Sequence, residues 1–522
     1  MSDPDGARLP RPVVSPRRLS SLAAVLGIGD DPSYAGVEVT GVSLDSRQLR
    51  PGDVYAALPG AHAHGADFAA AVAAAGAAAI VTDPAGRADA AASGLPVLVL
   101  PRPRDRLGLI AAWVYGRPAD HLLLVGVTGT NGKTTVSFLV ESGLRAAGHV
   151  TGLVGTVQTR VAGEVVTSER TTPEAPDVQA LLALMVERGC TAAAMEVSSH
   201  ALALGRVDGM SFDVAVFTNL SQDHLDFHPT FEEYYRAKAS LFTGQRSRVG
   251  VVNIDDEYGR RLQRDANVAV TTFSTQGADA DWRAEDVVAR GDGSTFRVVG
   301  PSGERAPARV QLPGAFNVSN ALAAIVSLTL AGVPLHAAVA GVGTLPGVPG
   351  RMERIDAGQP FLALVDYAHT PDAVITLLES VRGLVPGKVI VVLGCGGDRD
   401  PYKRPLMGAA AAGLAELAIF TSDNPRSEDP DLILAEMMAG AADGDLRPGV
   451  RTRAPGSTSR KWFVEPDRAQ AIRYAVEAAG PDDVVVVAGK GHEQGQEVAG
   501  VVRPFDDRVE LRAAIERLAV AS

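Results

Sequence analysis

The sequence is poor in cysteine and contains no long apolar run. Its 522 residues include two cysteines, Cys190 and Cys395, far apart in the chain, so neither a disulfide framework nor a cysteine-rich metal site is predicted. The most apolar-looking stretch, residues 69–81, is mostly alanine and too short to span a bilayer. The first twenty residues lack the apolar core of a signal peptide. We therefore expect a cytoplasmic protein with reduced, partly buried thiols and no membrane span.

The sequence also lacks the excess of basic residues that is typical of proteins that bind nucleic acid. The formal net charge is −12, so nucleic acid is not expected as the main partner. Hydrophobic residues make up 46% and charged residues 21%, a composition that can fill several globular cores. The length predicts about three domains. An anionic substrate would have to be held by local arginines, lysines and Mg²⁺.

Residues 122–145 show the pattern of a buried strand, a glycine-rich loop and a helix. Leu122–Val127 is a continuous apolar run, and apolar residues recur at helical spacing from Val136 onward. Glycines in the loop let the backbone turn tightly and approach a ligand closely. The predicted phosphate-binding loop comprises Gly129, Thr130, Asn131, Gly132, Lys133, Thr134 and Thr135.

This loop indicates a site for a nucleoside triphosphate. Its backbone N–H groups and the helix N-terminus favour negative charge, Lys133 would reach the terminal phosphates, and the Thr134 hydroxyl would face Mg²⁺. The match to the standard pattern is not literal, because Val127 stands where the first glycine belongs.

Further polar residues follow apolar runs in the same half of the chain. Glu196 ends the run 192–196 and is either a Mg²⁺ ligand or a strand-end acid in solvent. His224, beside Asp223, is either a ligand or a structural histidine. Lys238, in a predicted helix over 231–242, would alone be a surface lysine. Asn317 and Asn320 could cap a helix or contact a base or phosphate.

Four polar loops follow apolar strands near the C-terminus. They are 366–371, 394–400, 422–427 and 489–493. Loops at the carboxyl ends of parallel strands converge in space, so four of them at one edge predict a ligand site.

The domain organisation follows from these patterns. We predict an α/β protein with a loose tail over 1–19 and domains at 20–119, 120–350 and 351–522. The run 341–350, rich in glycine and containing two prolines, is interpreted as a linker or hinge. The chemistry is expected between the second and third domains.

Several of these motifs, in this order, resemble those of the ATP-dependent Mur ligases of bacterial cell-wall synthesis over nearly the whole chain. The motifs are Thr128–Thr135, Glu196–His200, Asp223–His224, Ala237–Phe242, Asn317–Asn320 and Gly350–Glu353. Within that superfamily, residues 44–47, 397–399, 423–426 and 489–493 look like those of the MurE ligases, the UDP-N-acetylmuramoyl-tripeptide synthetases. Asp423-Asn-Pro-Arg426 is similar to the signature of the diaminopimelate-adding form.

The resemblance implies a three-domain Mur ligase architecture with a UDP-substrate-binding N-terminal domain, a central P-loop ATPase domain and a C-terminal, dinucleotide-fold-like domain that binds the amino acid. It implies catalysis by Lys133, Glu196, His224 and Lys238, with Thr134, Glu196, His224 and Lys238 at Mg²⁺ and a CO₂-derived carbamate (N6-carboxylysine) on Lys238. For ATP it adds Asn317, Asn320, Arg351 and Asp366 to the phosphate loop. For the UDP-substrate it implies Leu44, Ser46, the loop 60–65, Thr171, Thr172, Ser198 and Arg206. For diaminopimelate it implies Arg399, Asp423, Asn424, Pro425, Arg426, Gly489 and Glu493.

The expected reaction adds meso-diaminopimelate to UDP-N-acetylmuramoyl-L-Ala-D-Glu through an acyl phosphate, in peptidoglycan precursor synthesis, by a monomer. Leu204 and Arg170 depart from the family pattern, which has Gln and Asn there. The alternatives are a lysine-adding MurE ligase, a folylpolyglutamate synthase-like ligase, and a nucleotide-dependent binding or scaffold protein without ligase activity.

Overall fold

The N-terminal unit is a small parallel sheet flanked by helices. The computed structural model describes residues 10–60, 62–167, 170–225, 227–443 and 461–521. The four central strands of this unit pair in the order β3-β4-β5-β6, all parallel. Its elements are β1 Arg17–Arg18, α1 Leu19–Leu26, β2 Glu38–Val39, β3 Gly41–Ser43, β4 Asp53–Ala57, α2 Ala69–Ala74, β5 Ala79–Thr82, α3 Arg87–Ala92, β6 Val97–Val99 and α4 Arg104–Val114.

The loose tail predicted over 1–19 is wrong for residues 10–19. Arg17 and Arg18 pair with β2, and α1 begins at Leu19, whose side chain is fully buried. Arg11 donates to both carboxylate oxygens of the buried Asp53 at 2.6 Å. The segment before α1 is rich in arginine and has no apolar run. It is nevertheless held in place, because Arg11 binds the carboxylate of Asp53, which lies far along the chain. Residues 1–9 lie outside the described part.

The middle unit is an 11-stranded sheet with helices on both faces. Strands β8, β11, β7, β12, β13, β14 and β15 are parallel neighbours in that order, and antiparallel strands extend both edges. Its elements are β7 Leu123–Thr128, α5 Lys133–Ala146, β8 Thr151–Val154, β9 Thr159–Val161, β10 Glu164–Val166, α6 Ala175–Glu187, β11 Ala192–Glu196, α7 Ser199–Ala203, β12 Phe212–Phe217, α8 Phe231–Ala239, β13 Ser247–Asn253, α9 Glu257–Asp265, β14 Ala269–Ser274, β15 Trp282–Arg290, β16 Gly293–Val299, β17 Arg305–Val310, α10 Phe316–Leu330 and α11 Leu335–Gly343.

Strand β7 lies in the middle of this sheet, and its side chains pack into the cores on both faces. Leu124 packs into the core on one face, while Val125 and Val127 pack into the core on the other. The neighbouring strands pair in a register that sets Glu196 beside Val127 and Phe217 beside Thr128. The residues that follow β7, β11 and β12 therefore meet at one edge of the sheet.

The C-terminal unit is a six-stranded sheet in the order β18-β19-β23-β20-β21-β22, parallel except for β18. Helices cover both faces, and β24 and β25 form a separate hairpin. Its elements are β18 Glu353–Arg354, β19 Leu362–Asp366, α12 Pro371–Arg382, β20 Val389–Leu393, α13 Lys403–Leu414, β21 Leu417–Phe420, α14 Pro430–Asp443, β22 Lys461–Val464, α15 Arg468–Ala478, β23 Val484–Ala488, β24 Gly495–Val498, β25 Val501–Pro504 and α16 Asp507–Ala521.

Two local predictions differ from the structure. The run 341–350 is not wholly a linker, because α11 continues to Gly343 and Val348 is fully buried. Asn317 does not cap α10, since that helix begins at Phe316 and its N-cap is Ala315. The Asn317 side chain instead donates to the Pro313 carbonyl at 2.6 Å.

Two general expectations can be compared with the structure directly. Cys190 and Cys395 are both free and are buried more completely than predicted. Within the described ranges, no helix combines the length and the apolar character that crossing a membrane requires.

Candidate functional site

The loop between β7 and α5 closes around the side chain of Lys133. Its Nζ donates to the carbonyls of Gly129 (3.0 Å) and Thr130 (2.9 Å). Gly132 has φ of 87°, and a Cβ there would lie 2.5 Å from Asn320 Oδ1. A Cβ at Gly129 would overlap Thr218 Oγ1. Both glycines are therefore required by close contacts with neighbouring side chains.

Side chains that follow β12 hold this loop from outside. Thr218 Oγ1 donates to the Asn131 carbonyl at 2.6 Å, and Asn219 Oδ1 accepts from the Asn131 amide at 2.9 Å. Thr130 Oγ1 lies 3.0 Å from the Tyr234 hydroxyl of α8. These hydrogen bonds fix the shape of the loop.

Glu196, at the end of β11, lies directly beside the first turn of α5. Its carboxylate accepts hydrogen bonds from Thr134 Oγ1 (3.0 Å), the Thr156 amide (2.8 Å) and Thr156 Oγ1 (3.1 Å). Arg351 Nη2 donates to the same Thr134 hydroxyl at 3.2 Å. Since Glu196 is buried, the interpretation of this residue as a strand-end acid in solvent is wrong.

Lys238 is fully buried, so the interpretation of it as a surface lysine is also wrong. Its Nζ donates to the Gly129 carbonyl at 2.7 Å, the same oxygen that Lys133 contacts, and lies 4.6 Å from the Tyr234 ring centre. Burial, and next the charge of Lys133, lower the pKa of Lys238 well below its ordinary value. Two lysines on one carbonyl favour a neutral Lys238.

His224 follows β12 with a left-handed backbone, φ 54°. Its Nε2 lies 3.4 Å from Asp223 Oδ2, and its ring centre is 4.7 Å from that of His200. Burial alone would raise the pKa of Asp223, but the charges of His224 and His369 lower it below its ordinary value. Asp223 is therefore ionised at neutral pH.

A cavity of about 830 Å³ lies between the middle and C-terminal units. Asp366 lines it, accepts from the Met352 and Ala368 amides, and has its pKa raised by burial. The cavity brings together most of the residues expected at ATP and the metal: Thr130, Asn131, Gly132, Lys133, Thr134, Thr135, Glu196, His224, Lys238, Asn317, Asn320, Arg351 and Asp366.

A second cavity, of about 370 Å³, is lined by the loops at the carboxyl edge of the C-terminal sheet. It contains Arg399, Asp423, Asn424, Arg426, Gly489 and Glu493, while Pro425 does not line it. Asn424 Nδ2 donates to Glu493 Oε2 at 2.7 Å, and the buried Lys490 donates to Asn424 Oδ1 at 3.0 Å. The convergence of the four C-terminal loops is confirmed by the parallel order of their strands.

Arg426 lies at the rim of this second cavity with φ of 54°. Its Nη1 donates to the Gly397 carbonyl at 2.6 Å, and its Nε lies 3.7 Å from Glu497 Oε2. A quarter of its side chain stays exposed, so the guanidinium retains N–H groups for a ligand.

The two cavities adjoin, because Thr171, Asp223, His224, Tyr367 and His369 line both. His369 Nδ1 lies 2.8 Å from the Tyr367 carbonyl, and burial lowers the pKa of its imidazole. A group held in the larger cavity can therefore lie next to a group held in the smaller one.

The residues expected at the UDP-substrate are only partly brought together. Thr171 and Ser198 line the larger cavity, and Arg206 donates to the Thr172 carbonyl at 3.1 Å and pairs with Glu174 at 2.9 Å. Arg170 pairs with the same Glu174. Leu44 and Ser46 lie in the turn after β3 and, like the described residues of the loop 60–65, line neither cavity.

Some residues of the site could not be found from the sequence. Thr156 and Tyr234 hold Glu196 and the phosphate loop, but neither stands in a recognisable motif. Lys403 donates to the His369 carbonyl at 3.0 Å and lines the smaller cavity. The one indication in the sequence was that Lys403 comes shortly after the loop 394–400.

Comparison with known proteins agrees with this geometry. Models of three Mur ligase regions match: the family's catalytic domain at 38–115, the middle domain at 127–328 and the glutamate ligase domain at 350–491. A Streptomyces avermitilis protein named UDP-N-acetylmuramoyl-L-alanyl-D-glutamate--2,6-diaminopimelate ligase is 57% identical over 97% of this chain and 98% of that one. A Corynebacterium glutamicum protein of the same name is 49% identical over 93% of both chains.

Solved structures give the same result. One described as UDP-N-acetylmuramoyl-L-alanyl-D-glutamate--2,6-diaminopimelate ligase is 34% identical, with a TM-score of 0.66, over 95% of this chain and 99% of that one. The MurF ligase of Thermotoga maritima, in complex with ADP, has a TM-score of 0.61 over 93% of this chain and 99% of that one, and at 17% identity it shows the fold alone. The expected three-domain α/β architecture is confirmed, and the chain belongs to the Mur ligase family.

Proposed function

We propose that this protein is an ATP-dependent ligase that joins meso-diaminopimelate to the D-glutamate of UDP-N-acetylmuramoyl-L-alanyl-D-glutamate. The observation that supports this most is identity of 57% over nearly the whole chain to a protein named for that reaction. The smaller cavity adds a chemical reason, since it presents Arg399 and Arg426 together with Asp423 and Glu493. Diaminopimelate carries two ammonium and two carboxylate groups, which such a set of charges can pair.

The larger cavity fits ATP and Mg²⁺. The phosphate loop lines this cavity and would bind the phosphates beside Lys133, while Thr134 and Glu196 would hold the metal. In the described part of the chain, no three acidic, histidine or cysteine side chains group as a metal cluster. This agrees with Mg²⁺, which is commonly bound by one or two carboxylates together with substrate phosphates. Bound Mg²⁺ would neutralise charge that develops on the phosphoryl group.

The reaction proceeds in two steps. The γ-carboxylate oxygen of D-glutamate attacks the γ-phosphorus of ATP, so an acyl phosphate forms and ADP leaves. The uncharged amine of diaminopimelate then attacks the acyl carbon and a tetrahedral intermediate forms. The nitrogen loses one proton, the bond between the acyl carbon and the phosphate oxygen breaks, and inorganic phosphate leaves. Lys133 stabilises the negative charge of the first step by electrostatics and positioning. Because the two cavities share lining residues, an acyl phosphate in the larger one would lie close to an amine in the smaller one.

We further propose that CO₂ modifies Lys238 to a carbamate. The uncharged amine attacks CO₂, a C–N bond forms and one proton leaves, so a buried neutral amine becomes an anion. The depressed pKa supplies the uncharged amine that this step requires, and the modification would place a negative charge beside the positive charge of Lys133. The carbamate would then join His224 as a ligand for a second Mg²⁺.

This modification is testable by carbon-13 NMR in labelled bicarbonate. The wild type should show a carbamate resonance and Lys238→Ala should show none, with activity lost in the variant. Lys388→Ala is the matched control, since Lys388 has no part in either cavity. A wild-type protein that is fully active without the resonance would contradict the proposal.

The main experiment measures phosphate release across a panel of amino acids. Release should require both the UDP-dipeptide and diaminopimelate, and Lys133→Ala should reduce it at least about 100-fold while leaving the fold intact. Efficient turnover with lysine would favour the lysine-adding ligase. Turnover with a pterin substrate would favour a folylpolyglutamate synthase, and release that depends on neither substrate would indicate a scaffold protein.

We place the reaction in the cytoplasm and assign it to a monomer. The proposal rests on the nucleotide substrates rather than on any feature of the surface. Light scattering in solution and fractionation of the source cells test these two points separately.

A further inference from the structure

A buried ion pair lies directly behind the smaller cavity. Arg468 is the first residue of α15 and Asp507 the first residue of α16, and both side chains are completely buried. Arg468 Nε and Nη2 each donate to one oxygen of the Asp507 carboxylate at 2.7 Å. Neither residue lines the cavity, and neither takes part in the proposed chemistry.

The guanidinium also binds the backbone where two of the cavity loops begin. Its Nη2 donates to the Ala488 carbonyl at 2.9 Å, directly before Gly489, and its Nη1 to the Ser422 carbonyl at 3.5 Å, directly before Asp423. Asp507 fixes the orientation of the rigid, planar guanidinium, which can therefore donate to both carbonyls. The positions of the two loop bases are thereby coupled.

The outer parts of the same loops contact each other at the cavity itself. Asn424 from one loop donates to Glu493 of the other, and Lys490 donates to Asn424. Gly489 has φ of 113°, and a Cβ there would lie 2.6 Å from Asp423 Oδ2. The two loops can pack this closely only while the backbone at residues 422 and 488 keeps its relative position. A small shift at either residue would therefore displace Asp423 and Glu493 together.

We infer that Arg468 and Asp507 form a positioning pair that aligns the two loops of the amino-acid cavity and so sets affinity and selectivity for diaminopimelate. The inference rests on the proposed function. The charge of Arg468 also acts on Asp423 and Glu493, and Asp507 balances it, so the pair aligns the loops without adding net charge behind the cavity.

Two variants separate alignment from folding. Arg468→Lys keeps the charge but cannot bind Asp507 and two carbonyls at once. The double variant Arg468→Met/Asp507→Leu replaces the pair with apolar side chains, an exchange that buried ion pairs often tolerate. In both we expect the KM for diaminopimelate to rise about tenfold or more, since a misplacement of about 1 Å can cost on the order of 100-fold. The KM values for ATP and the UDP-dipeptide should stay at the wild-type values, and the preference for diaminopimelate over lysine should fall.

The matched control is the Arg382–Glu416 pair at the opposite edge of the same sheet. Arg382 donates to the Gly387 carbonyl at 2.8 Å, before β20, and Glu416 accepts from the Val389 amide. Arg382→Met/Glu416→Leu should lower thermal stability without changing the KM for diaminopimelate.

Each outcome decides the inference. An unchanged KM for diaminopimelate, an equal rise in all three KM values, or the same rise in the control variant would overturn it. Failure of both test variants to fold would also overturn it, because the pair would then be a requirement of the fold. A wild type that never uses diaminopimelate would instead overturn the proposed function.

Discussion

At the residue scale, Arg426 is the side chain that we expect to determine selectivity for diaminopimelate over lysine. Diaminopimelate differs from lysine by a carboxylate at the far end, and a guanidinium can bind that group with two parallel hydrogen bonds. With lysine bound, Arg426 would lose this partner, and a site built for a polar group can reject an analogue that lacks it by about 10⁴-fold.

Arg426→Ala tests this choice through the ratio of kcat/KM for diaminopimelate to that for lysine. The ratio should fall by at least about 100-fold, mostly through loss with diaminopimelate. Arg473→Ala, on the outer part of α15, provides a control that should leave the ratio unchanged. If Arg426→Ala also leaves it unchanged, Arg426 does not read the distal carboxylate.

His492 makes stability depend on pH. Burial, and next the charges of Arg351 and Arg508, lower the pKa of His492 from 6.5 to about 4. Above pH 6.5 it is neutral in both folded and unfolded chains. As the pH falls towards 4, only the unfolded chain takes up the proton, so up to roughly 3 kcal/mol of unfolding free energy is lost.

Urea unfolding between these pH values measures the effect. His492→Gln should flatten the dependence on pH relative to the wild type, whereas His336→Gln, at an exposed position, should follow the wild-type curve. Parallel curves for all three proteins would show that His492 does not cause the loss.

Residue identity alone could not predict burial. Lys238 lies in a helix whose spacing would suit a surface lysine, and only resemblance to a family marked it. Its environment depends on the packing of α8 against the phosphate loop, through Tyr234 and Gly129, which are distant in sequence. Arg468 and Asp507 are likewise 39 positions apart, and nothing local pairs them.

At the scale of elements, the phosphate loop packs against α10 through a close contact between Gly132 and Asn320. Gly132→Ala would place a Cβ 2.5 Å from Asn320 Oδ1 and force a left-handed alanine at φ 87°, which costs about 1–2 kcal/mol. We expect the KM for ATP to rise on the order of tenfold, because 1.4 kcal/mol corresponds to a factor of about ten.

A control for this substitution exists in the same unit. Gly244→Ala meets no atom within 4 Å and has no left-handed φ, so it should leave the KM for ATP unchanged. Equal effects of the two substitutions would show that the contact with Asn320 is unimportant for the nucleotide.

Elements were predictable where the apolar pattern is simple. The apolar run 192–196 is β11, and the apolar strands expected before the loops 422–427 and 489–493 are β21 and β23, since continuous apolar runs suit strands buried on both faces. Polar segments were less predictable. Asn317 is an ordinary capping residue by type, but its amide binds the Pro313 carbonyl from within the helix.

At the scale of the whole molecule, the segment before β18 joins the middle and C-terminal units. Gly350 has φ of 67°, and a Cβ there would overlap the His492 amide nitrogen. Arg351, the next residue, contacts Thr134 and stacks on the Tyr367 ring, 4.4 Å from its centre. Arg351 therefore lines the larger cavity and contacts Tyr367, which lines both cavities.

Gly350→Ala should impair the use of both ATP and diaminopimelate. We expect a loss of about 1–3 kcal/mol in stability from the strained backbone and a fall in kcat/KM for ATP and diaminopimelate alike. Gly347→Ala, in the same segment, meets no atom within 4 Å and should be silent. An effect of Gly350→Ala on stability alone would argue against a role in joining the cavities.

The order of the units could be predicted from the sequence, because each begins with its own strand pattern. A site between the second and third units was also expected, and the larger cavity lies there. The wall that the two cavities share was not, since Thr171, Asp223 and Tyr367 come from three separate loops.

That shared wall has a consequence for inhibitor design. A single compound could place a nucleotide-like group in the larger cavity and a diaminopimelate-like group in the smaller one, joined past Asp223 and His369. Once one half is bound, the other experiences an effective concentration set by the linker, in the millimolar range for short linkers. Such a bisubstrate compound would gain selectivity over other ATP-using enzymes from the half that those enzymes have no pocket to receive.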